Sequence, residues 1–247
     1  MPAITFESGC GFNKKSCPLK HFPKYFALLL FFAGCDPGDP KPVDIGADYF
    51  PLQTGSYQVY AVHEKHYTEG KEPTLSDYEL KVAVTDSFPN PEGGYTYVLS
   101  RSKRTDDTQE WTVLDTWSAR KTDRELVVNE ENISYLKLVF PVKKGLTWNG
   151  NRYNSQNEDD YTFDDVDVTY ATPGGMTFEK SLTVNQENND DLIVFHDIRE
   201  EIYARNVGLV FRSIVQLNYC STENCVGQQI VNDGIEYQQT IIDYGTE

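Results

Sequence analysis

The stretch Val207-Gly-Leu-Val-Phe-Arg-Ser-Ile-Val-Gln-Leu-Asn-Tyr219 repeats with a period of two. Val207, Leu209, Phe211, Val215, Leu217 and Tyr219 share one parity; Arg212, Gln216 and Asn218 share the other. Side chains alternate across a strand but recur every 3.6 residues on a helix, so the pattern selects a half-buried β-strand. Tyr78, Leu80, Val82 and Val84 alternate in the same way with Glu79, Lys81, Ala83 and Thr85. Ile235, Tyr237, Gln239 and Ile241 make a third run, and Tyr95, Tyr97 and Leu99 a fourth. Between the runs stand Pro91-Glu92-Gly93-Gly94, Asn149-Gly150, Pro173-Gly174-Gly175 and Asn232-Asp233-Gly234, all residues suited to tight turns. No helical period is sustained after residue 48. The expected fold is all-β: a single antiparallel domain of about ten strands, built as a curved sheet, an open half-barrel or a sandwich.

Composition agrees with a folded domain. Of 247 residues, 39% are hydrophobic and 13% aromatic, enough to bury a sizeable core. The formal net charge is −16, and residues 1–34 carry four Lys against one Glu, which leaves −19 on the remainder. A domain this acidic repels polyanions, so no nucleic-acid partner is expected.

The N-terminal region reads differently. Lys14, Lys15, Lys20 and Lys24 precede an apolar run, Tyr25 to Gly34, of ten residues. That is half of the roughly twenty needed to span a bilayer as a helix. Pro23 before it and Pro37, Pro40 and Pro42 after it argue against a buried helix. Basic, then apolar, then small is the layout of a secretory signal. Ala33-Gly34-Cys35 resembles a bacterial lipobox, which implies cleavage before Cys35 and attachment of diacylglycerol and fatty acyl groups such as palmitate there. The expected division is a signal over residues 1–34, a lipidated cysteine and tether over 35–48, and the β domain over 49–247. A compact signal begins only near Leu19, so translation is expected to start there or at Met1. Removal of the signal leaves Cys35, Cys220 and Cys225. With Cys35 lipidated, Cys220 and Cys225 are expected to form a disulfide, because Ser221 to Asn224 are turn formers and the exported compartment is oxidising.

Asp48-Tyr-Phe-Pro-Leu-Gln-Thr-Gly-Ser-Tyr-Gln-Val-Tyr60, Phe140-Pro-Val-Lys-Lys-Gly-Leu-Thr-Trp-Asn-Gly-Asn151, Gly174-Gly-Met-Thr-Phe178 and Tyr203-Ala-Arg-Asn-Val-Gly-Leu-Val210 together resemble small uncharacterised envelope lipoproteins of the Bacteroidetes. The closing half is also similar, more weakly, to periplasmic half-barrels of the lipoprotein-carrier type. The first resemblance implies a cell-envelope protein held on a membrane, most simply the outer membrane; neither implies an activity.

Candidates for chemistry are sparse. His63 and His66 stand three apart in a strand-like run, so their rings are expected on opposite faces rather than on one metal. Glu158-Asp159-Asp160 with Asp164, Asp165 and Asp167 lacks the calcium-loop pattern and reads as a solvated strand edge. His196-Asp197 are neighbours in a strand and face opposite ways. No Gly-x-Ser-x-Gly elbow or phosphate loop is present. No metal or cofactor is expected, and no catalysis. Trp111 and Trp117 share parity and are candidate ligand-binding residues on one face. The expected function is a lipid-anchored, non-catalytic binding or structural module for an envelope protein, glycan or lipid. The alternative is an envelope hydrolase whose carboxylates converge in the fold.

Overall fold

A computed structural model describes residues 42–91 and 93–247; the signal segment and Cys35 lie outside the described residues. Twelve strands follow in chain order: β1 (Ser56–Tyr67), β2 (Thr74–Pro89), β3 (Tyr95–Arg104), β4 (Thr112–Lys121), β5 (Glu125–Glu130), β6 (Ile133–Val139), β7 (Thr147–Asn149), β8 (Asp160–Ala171), β9 (Thr177–Asp190), β10 (Phe195–Ala204), β11 (Gly208–Tyr219) and β12 (Val231–Thr246). They form a single antiparallel sheet in the order β6-β5-β4-β3-β2-β1-β12-β11-β10-β9-β8-β7. Two meanders, β1–β6 and β7–β12, are joined where the first strand pairs with the last, Ser56 opposite Thr246 through to Tyr67 opposite Gly234.

The sheet curls until its outer strands almost meet. Leu136 N donates to Gly150 O at 2.8 Å, and the Trp148 indole Nε1 donates to Leu136 O at 2.8 Å. The result is a nearly closed barrel, which matches the curved-sheet expectation. It is not a sandwich, because there is one sheet, and it has twelve strands rather than about ten. The surplus comes from strands without long alternation. β7 has three residues, and β5 and β6 carry compact apolar runs around Val127 and Leu136.

Two of the expected turns have other work. Asn149-Gly150 closes the barrel seam: Gly150 is not held at positive φ, but a Cβ there would overlap the ring of Tyr161. Asn232-Asp233-Gly234 lies within β12, where a Cβ on Gly234 would overlap the Gln216 carbonyl of β11. In both places glycine is required for close backbone approach.

Apolar side chains fill the lower barrel. Tyr49, Leu99, Leu126, Leu138, Phe163 and Leu182 belong to one fully or nearly fully buried cluster. Trp148 joins it, its ring centroid 4.4 Å from that of Phe163. A second cluster gathers Tyr60, Val62, Leu80 and Ile241 with Ile202 and Phe211. The β8–β9 hairpin packs on the latter, with Tyr170 6.0 Å from Phe211.

The base of the barrel is stoppered by the residues that precede β1. Ala47–Tyr49 form one 3-10 turn, and Ile45, Phe50 and Leu52 pack against the first cluster. Lys121 Nζ donates to Ala47 O at 2.8 Å and Phe50 O at 2.7 Å. Arg205 reaches Asp44, Asp48 and Asp167, and its guanidinium lies 4.6 Å from the centre of the Tyr49 ring. Residues 44–48, expected as tether, are therefore docked onto the domain. Pairing and packing, rather than composition, decide that these residues are held.

Candidate functional site

At the end opposite this stopper the barrel opens into a cavity of about 540 Å³. Residues directly opposite one another in an antiparallel pair share a face. Leu80, Tyr60 and Ile241 thus look into the lumen, and so do Arg212 and Gln216, reached through Gln239 and Ile235 of β12. The Arg212 parity of β11, which alternation alone gives to solvent, is the lumen face. A register shift between Ile202 and Tyr203 also separates Leu209, packed on the first cluster, from Phe211 in the second. Aromatic groups Tyr78, Trp117, Tyr135 and Tyr237 line the upper cavity together with Ile214 and Ile235. Burial pushes the Tyr237 hydroxyl up to about 12 and raises that of Tyr78, so both remain hydrogen-bond donors at neutral pH. Tyr78 donates to Glu64 at 2.7 Å and Tyr237 to Gln239 at 2.6 Å.

The floor is a buried ion network drawn from four strands. Glu201, 1% exposed, accepts from Arg212 Nη2 at 2.6 Å, from Lys137 Nζ at 2.5 Å and from the Tyr203 hydroxyl at 2.5 Å. Glu130 meets Arg212 at 3.1 Å and Lys137 at 3.3 Å. Two cations and two anions cancel. Burial alone would raise both carboxyls, but Arg212 and Lys137 override it and hold both below the usual carboxylate range. Isolated charges could not persist at this depth; paired and hydrogen-bonded ones can.

Arg101 of β3 and Trp117 of β4 complete the floor. Arg101, 7% exposed, stacks 3.7 Å from the centre of the Trp117 ring, and its Nη1 donates to Asp115 Oδ2 at 2.7 Å. Among the described residues, Arg101 Nε, Trp117 Nε1, Arg212 Nε and Asp115 Oδ1 are buried without a hydrogen-bond partner. A second void of about 60 Å³ adjoins the floor residues and is lined also by Phe50, Leu52, Val84, Leu99 and Leu209.

Trp111 does not share the lumen with Trp117. It precedes β4, and the pairing with β3 slips between Arg101 and Ser102, so equal parity no longer means one face. Trp111 instead stacks 4.3 Å from Arg104, whose partner Glu79 lies on the outer face. The remaining sequence candidates stand apart. His63 pairs with Asp77 at 2.6 Å, while His66 approaches Glu64 at 3.4 Å on the lumen side. His196 contacts Tyr219 at 3.3 Å, whereas Asp197 binds Arg199 at 2.7 Å. The acidic run is divided among three cations: Asp159 with Arg199, Asp165 with Lys144 and Asp167 with Arg205. Cys220 and Cys225 form a disulfide, their Cα atoms 5.7 Å apart, in the β11–β12 connection.

Sequence reasoning missed Arg101, Asp115, Glu130, Lys137, Glu201 and Arg212. A signal existed at some of them. Lys137 sits between Leu136 and Leu138, and Arg101 occupies the parity of Leu99. A charge at a core position asks for a buried partner.

No family model matches the chain, and no curated protein does. Among solved structures, the chain is similar to a "putative exported protein with YMCC-like fold" from Bacteroides fragilis, at 15% identity and a TM-score of 0.42, covering 80% of this chain and 98% of that one. It is also similar to a "putative lipoprotein" from Parabacteroides distasonis, at 14% identity and a TM-score of 0.39, with the same coverage.

Proposed function

We propose that the chain is a non-catalytic binding module of the cell envelope, anchored to the outer membrane through acylated Cys35, and that the barrel mouth is its binding site. One observation carries the reading: the open cavity, with unpartnered buried polar atoms in its floor, lies at the end opposite the docked residues 44–52. The partner is an envelope protein, glycan or lipid, and no nucleic acid.

Hydrolysis is the second reading, and the electrostatics weigh against it. A glycosidase needs one carboxyl kept protonated near neutral pH as its acid. Glu130 and Glu201, the floor carboxylates, are held ionised by Arg212 and Lys137. Glu200, whose carboxyl burial raises, has the opposite parity on β10 and points away from them. Two measurements test the proposal. The parent should partition into detergent and label with palmitate, and Cys35→Ser should do neither. Incubation with purified envelope polysaccharide and peptidoglycan should release no new reducing ends or amines; release above background would make the chain a hydrolase.

A further inference from the structure

We infer that the mouth cavity takes a neutral oligosaccharide, held through its hydroxyl groups by Arg101, Asp115, Trp117 and Arg212. This rests on the reading of the cavity as a binding site. The unpartnered atoms in the floor are three donors and one acceptor: Arg101 Nε, Trp117 Nε1 and Arg212 Nε against Asp115 Oδ1. All four residues line the cavity, and because these atoms are covered in the empty barrel, a ligand reaches them by turning the side chains toward itself. A ligand that satisfies the set must both accept and donate. A hydroxyl does both, and neighbouring hydroxyls on a sugar ring can accept from Arg101 Nε while donating to Asp115 Oδ1.

Other ligand classes fit less well. A carboxylate or phosphate only accepts, and it would lie beside Asp115 and Glu130. Nor does the floor attract anions, since Arg101 is paired with Asp115, and Arg212 and Lys137 with Glu130 and Glu201. An acyl tail offers neither donor nor acceptor to the unpartnered floor atoms. The walls suit sugars. Tyr78, Tyr135 and Tyr237 offer aromatic surface to the C–H faces of pyranose rings, and their hydroxyls add further polar contacts. The volume, about 540 Å³, is that of a small-molecule pocket and admits a short stretch of glycan.

The test uses the full acylated chain in a non-glycosidic detergent, titrated in a calorimeter with cellopentaose, maltopentaose, mannopentaose and xylopentaose. Hexagalacturonate, laurate and a pentapeptide serve as charged, acyl and peptide probes. At least one neutral sugar should bind and change tryptophan fluorescence. Trp117→Phe keeps an aromatic ring beneath Arg101 and removes one donor, so it should weaken binding roughly threefold to tenfold. Trp111→Phe, outside the lumen, should leave the affinity unchanged. Binding of hexagalacturonate, laurate or peptide in place of the sugars, with the same dependence on Trp117, would overturn the glycan and keep the cavity as a site. Sugar binding indifferent to Trp117→Phe would overturn the location. Binding of no probe would overturn both.

Discussion

Lys137 is a cation with almost no access to water, and its two carboxylate partners come from strands on opposite sides of the lumen. Lys137→Met would leave Glu130 and Glu201 sharing Arg212 alone. Removing one partner from a buried ion pair costs about 3–5 kcal/mol, so the urea midpoint of this variant should fall sharply while the β circular dichroism at zero urea persists. The same network sets an acid limit. In the unfolded chain these glutamates take up protons near pH 4.3, whereas in the fold they stay ionised to lower pH. Their stabilisation is therefore complete above that pH and is lost as pH falls through the folded values. Thermal melts from pH 6 to pH 2 should show a drop below about pH 4, with a shallower slope in Glu201→Gln. Lys137 between two leucines and Arg101 on the parity of Leu99 hinted at buried charge, but the network itself was not legible in the sequence. Arg101, Glu130, Lys137, Glu201 and Arg212 have no spacing that relates them; barrel curvature and register bring them together.

Strands were more legible than their faces. Tyr78 to Val84 and Ile235 to Ile241 alternate as the barrel requires, because an apolar lumen wall with a wet outside imposes period two. β11 alternates as cleanly, yet its Arg212 parity faces inward, since the upper lumen is polar and alternation carries no sign. Turn chemistry was ambiguous for a related reason: glycine serves both positive φ and close approach. Gly150 shows the second use, and Gly150→Ala would drive a methyl group into the buried Tyr161 ring. Overpacking of this kind costs about 1–3 kcal/mol. Hydrogen exchange at the Leu136 amide, which donates across the seam to Gly150, should accelerate more than exchange in β1. The β11–β12 connection behaves as its sequence implies. Closing so short a loop is worth about 2 kcal/mol in the chain-entropy model. Cys220→Ser with Cys225→Ser should lower the melting temperature by roughly 4–8 °C and expose residues 221–230 to proteases.

At the scale of the whole molecule, the two meanders share one lumen, one ion network and one stopper. Residues 43–247 should melt in a single transition followed equally by far-ultraviolet dichroism and tryptophan fluorescence; two resolved steps would contradict this. The pairing of β1 with β12 also fixes the order of events in time. Each meander is made of neighbouring hairpins, which close rapidly, but the strand that unites them is the last of the sheet. Contacts so distant in sequence are entropically costly to close and slow folding. Until β12 docks, β1 and β11 each present a bare edge with unpaired amides and carbonyls, the kind of surface on which chains pair with one another. A chain ending at Ile230 should therefore self-associate, detectable by light scattering at concentrations where the full chain stays dispersed. The final sixteen-residue strand acts as the molecule's own protection against aggregation, and that protection is missing for as long as the strand is undocked.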